Sequence, residues 1–163
     1  MDDHGELRVL HSFGETEADG RTPYGSLLLL GETSLYGTAS GGGKYNLGTI
    51  FRLETEGAEY GTVHDFNGRD GAFPQAELVA GPDGWIYGTT PRGGELDGTL
   101  YKMYPDSGRL EILHKFGGYE KDGTNPDAGV VVSRGVLYGT TREGGEIGQG
   151  TLFSFQIQES RKP

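Results

Sequence analysis

Ile86-Tyr87-Gly88-Thr89-Thr90 lies near the middle of this 163-residue chain. The same pattern stands at Leu35-Tyr36-Gly37-Thr38 and Leu137-Tyr138-Gly139-Thr140-Thr141, so the tyrosine recurs at intervals of 51 residues. Working outward, three further landmarks recur with it in the same order. Asp-Gly with a proline three residues on occurs at Asp19-Gly20/Pro23, Asp70-Gly71/Pro74 and Asp122-Gly123/Pro126. His-x-Phe occurs at His11/Phe13, His64/Phe66 and His114/Phe116. Gly-Thr before an apolar-aromatic pair occurs at Gly48-Thr49-Ile50-Phe51, Gly98-Thr99-Leu100-Tyr101 and Gly150-Thr151-Leu152-Phe153. Four landmarks in one order, three times over, mark an internal repeat.

Each repeat reads as four strands. The first (Ser26 to Leu30, Glu77 to Ala80, Gly129 to Val132) is nearly all apolar, which predicts a strand covered on both faces. The second carries Tyr-Gly-Thr, whose mid-strand Gly37, Gly88 or Gly139 implies a bulge or a close approach by a neighbour. The third alternates, with Thr49, Phe51 and Leu53 facing one way and Ile50 and Arg52 the other. The fourth alternates too, placing Leu110, Ile112, His114 and Phe116 on one face. No stretch has the 3.6-residue period of an amphipathic helix, so the chain is all-β. Four antiparallel strands per repeat of this length predict β-propeller blades, with a β-trefoil-like fold as the alternative.

Composition agrees. The 31 glycines far exceed the usual share of roughly 7 %, and they suit short strands joined by tight turns that need positive φ. A formal net charge of −10 disfavours nucleic acid and anionic membrane surfaces as partners. No apolar run approaches the roughly 20 residues of a membrane-spanning helix. The absence of cysteine excludes disulfides, thiolate metal sites and cysteine nucleophiles. Met1 to Glu6 has neither the basic nor the apolar region of a signal peptide. The expectation is a cytoplasmic chain or one that begins after a removed leader, and the compartment stays open.

The run from Asp70-Gly71 and Pro74 through Trp85-Ile86-Tyr87-Gly88-Thr89-Thr90, Gly93-Gly94 and Gly98-Thr99-Leu100-Tyr101 to Phe116 resembles the GloVer tandem repeat. That resemblance implies propeller-like blades and a bacterial protein, often secreted or surface-anchored. It carries no catalytic signature to transfer.

The repeat sets the domain plan: a closing strand at 7–13, repeat 1 at about 14–66, repeat 2 at about 67–116, repeat 3 at about 117–158, and a tail at 159–163. Propellers close with about four to eight blades. The segment Leu7 to Phe13 reads as a lone fourth-type strand, and the last repeat ends after a third-type strand. The expected remedy is a homodimeric six-bladed ring in which each N-terminal strand completes the partner's third blade. The alternative is a fragment of a longer product.

Alternation also sorts the loops. Connections from fourth to first strand and from second to third share one face of the ring, and these are the long polar ones. On them Arg92, Glu95, Arg142 and Glu143, with Lys44, Tyr45 and Tyr119, are candidates to recognise sugar hydroxyls or a small anion. His11, His64 and His114 fall once per repeat, so they are read as satisfied strand-edge residues rather than metal ligands. Asp19, Asp70 and Asp122 are read as Asx-type turn residues rather than calcium ligands. No metal and no cofactor is expected. The leading functional reading is a non-enzymatic binding or assembly module, carbohydrate- or surface-directed. The alternatives are a lyase or hydrolase with its site at the central mouth, and a half-propeller remnant with no role of its own.

Overall fold

The structure, a computed structural model, describes residues 5–57 and 59–158, so the tail at 159–163 lies outside the described residues. It is all-β, and among the described residues no sheet closes into a barrel. In repeat 1, β2 (Leu28–Leu30), β3 (Ser34–Gly42), β4 (Thr49–Glu54) and β5 (Gly61–Asp65) form an antiparallel meander. β1 (Gly20–Pro23) pairs with the far end of β3, placing Gly20 opposite Gly42. Repeat 2 repeats the meander as β6 (Val79–Ala80), β7 (Ile86–Thr90), β8 (Thr99–Met103) and β9 (Leu110–Lys115). Repeat 3 provides three strands of it: β11 (Val131–Ser133), β12 (Val136–Thr141) and β14 (Thr151–Gln156). A small ladder of β10 (Gly123–Thr124) with β13 (Glu143–Gly144) lies beside them.

The glycine inside Tyr-Gly-Thr is there for packing. Gly37, Gly88 and Gly139 stand opposite Phe51, Tyr101 and Phe153 on the neighbouring strand. A Cβ on Gly88 would meet the Tyr101 hydroxyl at 2.4 Å, and one on Gly37 or Gly139 would meet the facing phenylalanine ring at the same distance. The ring lies across the bare backbone, and any side chain there would displace it.

Two apolar layers join the repeats. Tyr36 and Ile50 of repeat 1 pack on Leu78, Ile86, Tyr101 and Met103 of repeat 2. Tyr87 and Leu100 of repeat 2 pack in the same way on Val130 and Leu137 of repeat 3. The sheet of repeat 2 therefore turns one face to the repeat before it and the other to the repeat after it. Thr38 Oγ1 donates to the Ala76 carbonyl (2.9 Å) and Thr89 Oγ1 to the Ala128 carbonyl (2.8 Å), pinning consecutive repeats at equivalent points.

Three expectations are modified. The first strand is covered on both faces in repeat 2, but in repeat 1 Leu27 and Leu29 are half exposed and in repeat 3 Val131 is exposed. The fourth strand does not alternate throughout. The register shifts between Leu100 and Tyr101, which face His114 and Ile112, so Leu113 is an extra residue. A bulge of this kind moves the residues beyond it to the other face. Leu110 accordingly packs in the first apolar layer and Phe116 in the second. Finally, residues 7–13 form no strand within one chain, because a strand exists only through a neighbour's hydrogen bonds and no ladder runs alongside them among the described residues.

Candidate functional site

The long loops after the second and fourth sheet strands bring together residues that lie far apart in the chain. On the face they form, a groove of about 320 Å³ draws residues from all three repeats. Ser40 comes from repeat 1, Gln75 and Arg92 from repeat 2, and Asn125, Asp127 and Arg142 from repeat 3. Phe73 forms part of the wall.

Local folding explains why these residues meet. The segment after each Asp-Gly lies antiparallel to the Gly-Gly hairpin of its own repeat, as in Arg21 opposite Gly41, Ala72 opposite Arg92 and Thr124 opposite Glu143. The next residue is held at positive φ in every repeat: Thr22 at 54°, Phe73 at 57° and Asn125 at 55°. Such a φ costs a non-glycine residue about 1–3 kcal/mol unless its surroundings impose it. Here the Phe73 N–H donates to the Leu47 carbonyl and the Asn125 N–H to the Asp97 carbonyl, each in the preceding repeat. Loops of adjacent repeats are thereby locked together at the groove.

Within it, Arg142 Nη1 reaches Asp127 Oδ2 at 2.9 Å and Nη2 reaches Glu143 Oε1 at 3.1 Å. The Asn125 amide, turned to satisfy both ends, donates to the Pro91 carbonyl (3.1 Å) and accepts from Arg142 Nη2 (3.3 Å). Arg92 is exposed, and its guanidinium has no partner among the described residues. The arrangement offers planar forks, an amide and a carboxylate side by side, which is the donor and acceptor set that hydroxyl-rich ligands engage.

Of the residues singled out in the sequence, Arg92 and Arg142 line this groove and Glu143 abuts it. The others lie elsewhere. Glu95 pairs with Lys115 (3.2 Å). The Lys44 N–H donates to Asp65 Oδ1, and its ammonium lies 5.3 Å from the Tyr45 ring centre. Tyr119 projects beside His114, with ring centres 6.2 Å apart. Sequence reading missed Gln75, Asn125 and Asp127. Their signal was available, since they flank the repeated Pro74 and Pro126 and differ from repeat to repeat.

It also treated as separate two landmarks that form one lock. His11 Nε2 bonds Asp19 (3.0 Å), His64 bonds Asp70 (3.0 Å) and His114 bonds Asp122 (3.1 Å). The same carboxylates accept backbone N–H groups of Gly14, Asn67 and Gly117. Each lock ties a fourth-type segment to the loop leading into the next repeat. The first lock has an extra member: Tyr60 stacks on His11 at 3.5 Å between ring centres and donates its hydroxyl to Asp19. Burial would raise the Asp19 pKa, but the hydrogen bonds from Tyr60, Gly14 and His11 outweigh it and hold the group below its ordinary value. Burial, then the Asp19 contact, pushes the Tyr60 hydroxyl well above its own. Among the described residues no three His, Asp or Glu side chains converge on a point that could hold a metal ion, and no helix could cross a membrane.

No curated protein and no solved structure matches the chain. The family model of the Gloeobacter/Verrucomicrobia repeat matches residues 1–162. The Tyr-Gly-Thr strands, the His–Asp locks and the glycine hairpins all fall inside that match, and the chain belongs to the Gloeobacter/Verrucomicrobia repeat family.

Proposed function

We propose that this protein is a non-enzymatic binding module that recognises a hydroxyl-rich ligand, carbohydrate above all, in the groove between Arg92 and Arg142. The observation that carries this reading is the composition of the groove. Repetition accounts for residues that are the same in every repeat, whereas Gln75, Arg92, Asn125, Asp127 and Arg142 break the repeat at one place on the loop face. A guanidinium with no partner among the described residues, beside a satisfied Arg-Asp-Asn cluster, provides one fork on a preorganised floor.

The sheets serve in this reading as propeller blades, and two copies close a six-bladed homodimeric ring of twice the 17.5 kDa chain. The faces at the two ends support it. Leu152 of repeat 3 is 78 % exposed, while its equivalents Ile50 and Leu100 are 0 % and 1 % exposed. Leu27 of repeat 1 is half exposed, while its equivalents Leu78 and Val130 are buried. The face that meets a following repeat in two cases is exposed in the third, and on the receiving face of repeat 1 Leu27 is half exposed while Phe51 and Leu53 are buried.

The test is ligand-observed saturation-transfer NMR with neutral oligosaccharides and uronate-containing oligosaccharides. Binding should appear with the unmodified chain and fall at least tenfold in Arg92→Ala, whose exposed side chain holds nothing in place. Equal binding by the variant, or no saccharide signal at millimolar ligand, would reject the groove as the site.

A further inference from the structure

Residues 7–13 are already held as an outer strand would be held, although no strand pairs with them among the described residues. Between repeats 1 and 2, the end of β5 makes three contacts with the next repeat. His64 bonds Asp70, Val63 lies against Gly108 in the hairpin between β8 and β9, and Phe66 packs on Tyr101 at 5.4 Å. The N-terminal segment makes the equivalent three with repeat 1. His11 bonds Asp19, Leu10 lies against Gly57 in the corresponding hairpin, and Phe13 packs on Phe51 at 5.0 Å. The segment thus occupies the place of a preceding repeat's fourth strand. Leu7 and Val9, which would lie on the third strand of that repeat, are 92 % and 70 % exposed.

The matching vacancy is on β14. β4 is covered along one edge by β5 and β8 by β9, but β14 pairs only with β12 among the described residues. Leu152 and Thr140, whose equivalents in repeats 1 and 2 meet a following repeat, are both exposed. We propose that residues 7–12 of one copy pair antiparallel with β14 of a second copy, completing its third sheet. The register comes from the two existing ladders, in which Ile50 faces His64 and Leu100 faces His114 with one bulged residue next in line. Ser12 then faces Thr151, His11 faces Leu152, Val9 faces Phe153, Arg8 faces Ser154 and Leu7 faces Phe155, with Leu10 as the bulge. The Thr140 hydroxyl reaches the second copy's Gly25 carbonyl, as Thr38 and Thr89 reach Ala76 and Ala128. This rests on the ring reading and names which segment seals it.

The absence of native cysteine makes the test clean. In Arg8→Cys/Ser154→Cys the two thiols stand on directly opposite residues, about 4.5–5.5 Å apart at Cα, which suits a disulfide. Both positions are exposed, so folding is not at stake. Mild oxidation should convert most of the protein to a species of twice 17.5 kDa on a denaturing gel, reversed by reductant. The off-register control Arg8→Cys/Gln156→Cys should give at least fivefold less. Light scattering on the unmodified chain separates the two ideas. A dimer in solution with no in-register crosslink would overturn the strand exchange and leave the ring. A monomer without interchain crosslinks would overturn both. An in-register ladder of higher masses would keep the exchange and reject the closed ring. A disulfide formed at monomer mass would overturn the exchange, because the chain would then be closing on itself.

Discussion

Leu100 and Leu152 occupy the same place in two copies of one repeat, on the same face of the third sheet strand. Leu100 is sealed among Tyr87, Phe116 and Leu137, and Leu152 faces solvent. The residue type is the same and the local strand geometry is the same, so neither sets the burial. What differs is whether another repeat comes next. In a tandem architecture the inside of one unit is supplied by its neighbour, and Leu152 has no such neighbour among the described residues.

The sharpest way to break that comparison is to truncate both residues. Leu100→Ala should cost about 2–5 kcal/mol in urea unfolding, the usual range for a leucine emptied from a packed core. That cost should not depend on protein concentration. Leu152→Ala should change the chain's own folding by no more than about 0.5 kcal/mol, as exposed substitutions do, and should show itself as weaker association. If the two variants lost equal stability in a dilute, monomeric sample, Leu152 would already be covered within one chain.

A second contrast lies among the three His–Asp locks. Among the described residues only the first has a tyrosine hydroxyl donating to its aspartate, and its Asp19 is held below the ordinary carboxylate value of 3.8. A carboxylate whose pKa is lower in the folded than in the unfolded chain stabilises the fold at pH values above its unfolded pKa. That contribution is lost as pH falls through the lower, folded value. Stability should therefore drop on acidification below about pH 4, the ordinary carboxylate region, and Asp19→Asn should be less stable at neutral pH with a flatter acid limb. Tyr60→Phe, which removes one donor to Asp19, should begin its decline at the same pH but finish it nearer the ordinary value, with a smaller total loss. An unchanged acid limb in Asp19→Asn would mean that the first lock contributes nothing through its charge.

Legibility in the sequence divides along the same line. The strand plan of Tyr87 to Met103 was legible because both of its neighbours are copies of itself, so the pattern of Tyr87, Leu100 and Tyr101 carries its own context. The joining of His64 to Asp70 was not legible, since each residue has an adequate local explanation and only the turn between repeats brings them together. The bulge at Leu113 was missed for a related reason. Strict alternation counts Leu113 as outward, while its apolar side chain is drawn onto the core of the next repeat. The groove was half legible: Arg92 and Arg142 stand out as charges, but Gln75 and Asn125 look like ordinary turn residues beside a proline.

The smallest expected effects come from letting one repeat correct another. Among the described residues two buried hydroxyls lack partners, and in each case a sister repeat shows the repair. Tyr101 Oη is enclosed without a hydrogen bond, its pKa pushed up by burial, where the other repeats have Phe51 and Phe153. Thr49 Oγ1 is orphaned, while its equivalents Thr99 and Thr151 each meet a second threonine at 2.8 Å, namely Thr90 and Thr141. Repeat 1 has Ala39 where those partners stand. An enclosed hydroxyl without a partner costs about 1–3 kcal/mol, so Tyr101→Phe and Ala39→Thr should each stabilise by about 1 kcal/mol, or about 2–4 °C in Tm for a chain of this size. Space is available for the threonine. A Cβ on Gly71 or Gly123 would fall 2.5 and 2.3 Å from Thr90 and Thr141 Oγ1, so those glycines keep the room, and Gly20 holds the same position beside Ala39. The two changes lie in different repeats, and their effects should add to within about 0.5 kcal/mol. If Ala39→Thr destabilised while Tyr101→Phe stabilised, the first sheet would be packed more tightly at its inner end than its sisters, and the repeats would be interchangeable in pattern but not in volume.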